Sequence, residues 1–310
     1  IAEQVPAPVL FGAGLAIGLA MLLLAGSGLL DWLGRVVPKS VVRGIQLGLA
    51  LQLAGIALGR YVGADGAAGY AVAGAAFLLV VALLGSRRLP AALPVVALGA
   101  LYALLFRLDP AAALGGFGLH LPAFHAPRPA DVLAGFLLLA LPQIPLSLGN
   151  SLLATRQLAA DLFPDRAPTL RKLGLTYAAM NLLNPWFGGV PTCHGSGGLA
   201  GHYAFGGRTG GSVVLYGGVL GGIGLFFGPV FDQVIRVFPL PVLGVLLLFE
   251  ALALLWAARD VAGSRTDFPI AALVGLVAVS LPYGYLVGLV LGTALARLGR
   301  RVRLVAPDAP

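Results

Sequence analysis

The sequence predicts an all-α polytopic membrane protein, and three observations predict it. Charged residues are 10% of the 310, hydrophobic residues 59%, and the mean hydropathy is +0.95. No soluble domain of this size could bury so much apolar side chain. Apolar stretches of bilayer-crossing length recur along the chain. Finally, residues 173–207 run for thirty-five positions without one Lys, Arg, Asp or Glu, and Gly and Pro interrupt them at 184–198. That run is too long for one span and too short for two. Irregular backbone at membrane depth survives only where protein buries it or where it lines a cavity.

Reading in chain order gives eleven segments: 8–30, 42–60, 67–85, 90–106, 131–153, 172–187, a half-span at 195–205, 211–230, 240–257, 268–281 and 283–297. Each is an apolar run bounded by charges or by Gly and Pro. Leu281-Pro282-Tyr283-Gly284 divides the last two, with a single tilted helix as the alternative.

The net charge of +8 is a topology signal. Arg35, Lys39, Arg43, Arg87, Arg88, Arg156, Arg166, Arg171, Lys172, Arg208, Arg259, Arg265, Arg297, Arg300, Arg301 and Arg303 fall on one side. Only Arg60, Arg107, Arg128 and Arg236 fall on the other. Sixteen against four makes the first side cytoplasmic, with the C-terminal tail 301–310. No basic–aromatic module supports nucleic-acid binding. A single cysteine, Cys193, excludes an internal disulfide framework.

A pattern recurs at an offset of 201 residues: Asp31-x3-Arg35-x2-Pro38-x2-Val41 and Asp232-x3-Arg236-x2-Pro239-x2-Val242. Seven of the segments separate the copies, so the second is flipped, as in an inverted repeat. With a unit of seven, the second copy runs from 131 to 297 and the first has four segments between 8 and 106. The sequence is therefore expected to lack three preceding segments and its natural N-terminus.

Gln143, Ser147 and Asn150 stand at i, i+4 and i+7, on one face of a helix. Intramembrane polar groups turn toward a bundle interior or a wet cavity. Helix–helix hydrogen bonding is the alternative, but Pro142 and Pro145 bend the helix where the polar face begins. Val190-Pro191-Thr192-Cys193 favours extended backbone, and Gly195-Ser196-Gly197-Gly198 opens a short helix with little side-chain cover. A helix N-terminus carries unpaired N–H donors and about half a positive charge, which suits an anion. Close packing is the alternative for these glycines. His194, at the start of the half-helix, could donate to an anion or gate it by pH, or it could be structural. His202 is read as structural. Cys193, His194 and His202 lack a carboxylate and make no convincing metal site.

Glu250 is the acidic residue set deep in a clear apolar span. With His194 it is a candidate for proton coupling, against a plain hydrogen bond between helices. Asn181 and Asn184 flank the break before Trp186 and cap or brace it. Gly284/Gly288/Gly292 and Gly217/Gly218/Gly221/Gly222 follow a small-residue packing pattern. Absent are HExxH, GxSxG and paired intramembrane carboxylates, so an enzyme is not expected. No cofactor is implied.

Two stretches resemble a known family. Pro142-Gln143-Ile144-Pro145-Leu146-Ser147-Leu148-Gly149-Asn150 and Gly189-Val190-Pro191-Thr192-Cys193-His194-Gly195-Ser196-Gly197-Gly198-Leu199-Ala200-Gly201-His202-Tyr203, extended by Arg208, resemble the signatures of molybdate transporters related to the sulfate permeases. The resemblance implies an inverted 7+7 repeat of fourteen segments. It implies a core domain (1–38 and 130–232) moving like an elevator against a gate domain (39–129 and 233–300). It places an oxyanion between two facing half-helices, of which the one near Gly195 is in this sequence. Gln143, Ser147, Asn150, Thr192, Cys193, His194, Gly195, Ser196, Gly197 and Gly198 are then the expected substrate contacts. Molybdate is the expected cargo, with sulfate or another oxyanion, or an anion channel, as alternatives. Expected partners are the oxyanion, the lipid bilayer of a bacterial inner membrane and, as a candidate, a second copy of the chain.

Overall fold

The computed structural model describes residues 5–86, 89–108, 117–230 and 236–298. Arg87, Arg88, Asp232, Arg300, Arg301, Arg303 and the expected tail 301–310 lie outside them. Regular structure among the described residues is entirely helical. The helices are α1 Ala7–Gly26, α2 Leu29–Val36, α3 Lys39–Tyr61, α4 Gly66–Leu83, α5 Ala92–Phe106, α6 Pro129–Leu162 and α7 Leu170–Leu183. After the break come α8 Ser196–Ala204, α9 Gly210–Phe227, α10 Leu240–Ala257, α11 Arg259–Ala262, α12 Asp267–Ser280 and α13 Gly284–Leu298.

A helix covers each stretch expected as a segment. Six among the described residues, α1, α3, α4, α6, α9 and α10, are long and apolar enough to cross a membrane. α5, α12 and α13 are apolar but shorter. The chain is thus an all-helical, multi-pass membrane protein. At 1.5 Å per residue, the nine residues of α8 reach about 14 Å, roughly half a hydrocarbon core.

Local sequence explains the breaks. Leu281 precedes Pro282 and is extended at φ −109°, ψ 148°, as a residue before proline tends to be. Tyr283 then takes φ +54°, so α12 and α13 are two helices and not one tilted span. α6 contains Pro142 and Pro145, each lacking the N–H an α-helix needs. It widens into π turns at Phe136–Ala140 and Ser147–Ala154, on either side of the prolines.

The chain divides into two compact units. Among the described residues, the first holds 5–51, 123–199 and 254–298, and the second 52–86, 89–108, 117–122, 200–230 and 236–253. In the first, Met21, Leu30, Ile45, Leu152 and Tyr177 are buried in one core. Helices α1 and α6 cross at two glycines: a Cβ at Gly12 would collide with the Asp131 carbonyl oxygen, and one at Gly135 with the Ala13 nitrogen. The second unit packs Ala76, Val80, Val95 and Val242.

Two sequence expectations need correction. Arg43, counted with the loop charges, lies inside α3 and is 2% exposed. Its guanidinium pairs with Asp161 at 2.5 Å and Asp260 at 2.6 Å and donates to Gln46 at 2.8 Å. A planar fork of five donors can be buried when carboxylates satisfy it. The glycine stripes also part company. Gly284, Gly288 and Gly292 lie against α12, whereas a Cβ at Gly217, Gly218, Gly221 or Gly222 would meet nothing within 4 Å.

The recurring pattern shows as matched helix starts. The Pro38 carbonyl accepts from the N–H groups of Val41 at 3.1 Å and Val42 at 3.3 Å. The Pro239 carbonyl accepts from those of Val242 at 3.1 Å and Leu243 at 3.3 Å.

Candidate binding site at the broken segment

The break begins where α7 ends. Asn184–Phe187 forms one 3-10 turn, and Gly188 takes φ +73°, a left-handed conformation that glycine reaches without strain. The chain then runs without regular structure to α8. One side chain on α7 fixes this stretch. Asn181 is fully buried and donates through Nδ2 to the Thr192 carbonyl at 2.7 Å and the Tyr177 carbonyl at 2.9 Å. Its Oδ1 accepts from the Thr192 N–H at 3.0 Å. Asn184 adds a bond from Nδ2 to Thr192 Oγ1 at 3.1 Å. Both asparagines brace the break, as expected from sequence.

The polar stripe on α6 divides. Ser196 Oγ, fully buried, donates to Asn150 Oδ1 at 2.6 Å and ties α6 to the start of α8. Ser147, also fully buried, shares a 2.9 Å hydrogen bond with the Tyr177 hydroxyl. Gln143 is exposed, and its side chain makes no hydrogen bond among the described residues. The π turn from Ser147 shifts the register that a pure 3.6-residue period would keep.

Thr176 Oγ1 lies 3.0 Å from the carbonyls of both Lys172 and Leu173, which only accept. Its single proton goes to one of them, so it accepts from His194 Nε2 at 2.8 Å. The proton is thereby assigned to Nε2, and Nδ1 is left as the variable position. The Tyr177 ring meets His194 edge-on, with centroids 6.3 Å apart.

At the start of α8 the Leu199 N–H bonds the Gly195 carbonyl at 3.1 Å. The N–H groups of Ser196, Gly197 and Gly198 come before it and have no partner within the helix. A Cβ at Gly198 would meet nothing within 4 Å, and one at Gly195 only the Gly198 nitrogen at 3.8 Å. Protein packing does not explain these two glycines. Thr192 and Cys193 are exposed there, and Gly197 is buried. The site can offer three backbone donors, hydroxyls and an imidazole to an anion, with no permanent cation between 173 and 207.

Glu250 is on α10, in the second compact unit. Its Oε2 would be 3.6 Å from a Cβ at Gly201, so it neighbours the C-terminal half of α8. It makes no hydrogen bond or ion pair among the described residues. His202 packs edge-on against Tyr216 at 5.5 Å. No group of three or more His, Cys, Asp or Glu among the described residues could hold a metal ion.

Sequence reasoning passed over Thr176 and Tyr177. A signal was available: Tyr177, Asn181 and Asn184 stand at i, i+4 and i+7, the spacing that singled out Gln143, Ser147 and Asn150.

Known proteins resemble this chain. A family described as "Molybdate transporter of MFS superfamily" matches residues 1–53 and 135–254. Molybdate transporter 2 of Arabidopsis thaliana is 34% identical over 328 aligned positions, covering 90% of this chain and 70% of that protein. Molybdate transporter 1 of Arabidopsis thaliana is 42% identical over 161 positions, covering 52% of this chain and 35% of that protein. Molybdate transporter 1 of Chlamydomonas reinhardtii is 35% identical over 231 positions, covering 72% and 44% respectively. The second stretch of the family match takes in α6 from Gly135 onward, the break and α8, the elements that build the candidate site. With more than half its residues matched, the chain belongs to the molybdate transporter family.

Proposed function

We propose that the protein is a secondary transporter of molybdate and that the oxyanion binds at the N-terminus of α8. The observation that carries this reading is the cluster of free backbone donors at Ser196, Gly197 and Gly198. Side-chain packing leaves room for a Cβ at Gly195 and Gly198, and the stretch is anchored by Ser196–Asn150 and Asn181–Thr192. A tetrahedral dianion satisfies such donors, and the helix dipole favours its charge. A fixed Lys or Arg would hold a dianion tightly and slow its release, whereas neutral donors suit turnover. Thr192, Cys193, His194 and Gly195 lead into the site, with Gln143, Ser147 and Asn150 on the facing helix.

The wider reading is an inverted 7+7 architecture in which a core (1–38 and 130–232) moves against a gate (39–129 and 233–300). The matched helix starts after Pro38 and Pro239 support the repeat. The charge asymmetry supports a cytoplasmic C-terminus in a cell membrane. Glu250 and His194 are the groups proposed to carry a proton with the anion.

Equilibrium binding of molybdate and of sulfate to the purified full-length protein tests the site. Gly197→Leu should abolish molybdate binding in a protein that still folds. A folded Gly197→Leu variant with the parent's affinity would remove α8 from consideration.

A further inference from the structure

A second place in the first compact unit, apart from the start of α8, gathers basic side chains. A cavity of about 440 Å3 opens where α2 meets α3 and where the last turns of α6 approach the start of α7. Arg35, Lys39 and Arg156 line it against a single carboxylate, Asp31. Lys39 is occupied by Asp260 at 2.6 Å. Arg35 and Arg156 make no ion pair among the described residues, and both are exposed. Gln157 and Thr169 add neutral hydrogen-bonding groups to the wall. Thr169 caps α7, accepting from the Lys172 N–H at 3.2 Å, so the positive end of a 14-residue helix joins the same wall.

The other walls are apolar: Val37, Val42, Leu153 and Leu170. The surroundings suit a membrane interface. α2 is short, with Asp31 and Arg35 on it, and its Leu29 and Trp32 are about half exposed. An exposed tryptophan beside an apolar residue marks headgroup depth.

We propose that this cavity binds a phosphate group, held by the two unpaired guanidiniums of Arg35 and Arg156, beside Gln157, whose Nε2 already donates to Asp161 at 2.9 Å. Guanidinium forks match phosphate oxygens in pairs, and the apolar walls accommodate whatever the phosphate is attached to. Two sources share this chemistry: the phosphodiester of an anionic lipid at the basic face, and free inorganic phosphate. Neither depends on the cargo assigned to α8.

The test is the thermal midpoint of the purified full chain in detergent, titrated separately with phosphatidylglycerol, phosphatidylcholine and inorganic phosphate. A saturable rise with phosphatidylglycerol alone supports the site and names the lipid as its source. A rise with inorganic phosphate as well supports the site and names the free anion. In the supporting case, Arg35→Gln with Arg156→Gln should weaken the half-saturating concentration roughly tenfold or more. Arg166→Gln with Arg171→Gln, equal in charge and not lining the cavity, should leave it unchanged. No saturable rise with any anion overturns the proposal. So does a rise that phosphatidylcholine reproduces, or one that the two double variants weaken equally.

Discussion

Replacing Asn181 with leucine isolates the contact that shapes the candidate site. The side chain is fully buried and makes three hydrogen bonds, two of them to the backbone of Thr192. Leucine is close in size but can neither donate nor accept. Each bond contributes about 1 kcal/mol net, so their sum is about 3 kcal/mol. Two effects shift that figure in opposite directions. The Tyr177 carbonyl is already paired within α7, so losing its extra bond costs little. The Thr192 N–H and carbonyl lose their partner outright, which costs about 1–3 kcal/mol each where water cannot reach them. Thr192 is exposed, so water offsets part of this. The balance is a loss of about 2–3 kcal/mol, concentrated at residues 190–195 and not spread over the fold.

That locality sets the assay. Asn181→Leu should lower the thermal midpoint modestly, keep the far-ultraviolet helix signal and lose most molybdate binding, because the path into α8 is no longer fixed. Asn181→Asp should be worse, since it puts a carboxylate oxygen against the Thr192 carbonyl. Asn184→Ala removes only the bond to Thr192 Oγ1 and should bind within a few fold of the parent. If Asn181→Leu binds molybdate as the parent does while its midpoint falls, the clamp holds the fold but does not shape the site. The reasoning from Asn181 to function would then be wrong.

Four further outcomes follow. Asp260→Asn should destabilise the protein by about 1–2 kcal/mol, because Arg43 keeps Asp161, and a single buried pair broken outright costs about 3–5. Burial raises the Asp260 carboxyl, but hydrogen bonds from Arg43 and Lys39 outweigh it and hold the group below its usual value. Its contribution is therefore present above the ordinary carboxyl range and is lost as pH falls through the lowered value. A midpoint that drops equally with acid in parent and Asp260→Asn would deny Asp260 this role. Gln143→Ala should change stability by less than about 0.5 kcal/mol, since the side chain bonds nothing. A fall in molybdate affinity in that folded variant assigns Gln143 to substrate, and unchanged affinity removes it. A cysteine at Asp165, with Cys193 replaced, should resist impermeant thiol reagents outside intact cells, and rapid labelling would invert the topology. Uptake into proteoliposomes by the full-length protein should rise with an inward proton gradient and lose that dependence in Glu250→Gln. Indifference of the parent to the gradient would end proton coupling.

Length and polarity carried most of the fold. The apolar runs were legible because a bilayer demands them, and Leu281-Pro282-Tyr283-Gly284 divided α12 from α13 through ordinary proline and turn chemistry. Arg43 was misplaced because spacing cannot show that Asp161 and Asp260, 118 and 217 residues away, come to meet it. At the site, the break and the bare start of α8 were legible because glycine and proline act locally. Pairings between segments were not. Ser147 and Asn150 were visible as a stripe on α6, but the matching stripe Tyr177, Asn181 and Asn184 on α7 went unread. Those stripes work jointly: Tyr177 takes Ser147, Asn181 takes Thr192, and Asn150 takes Ser196. Side-chain polarity in this uncharged stretch is therefore largely spent on holding the backbone in place. The donors left free at the helix start are main-chain N–H groups, which carry no titrating charge. A site made that way can bind a dianion through geometry and dipole alone. It also explains why residue type along 184–198 says more about shape than about chemistry.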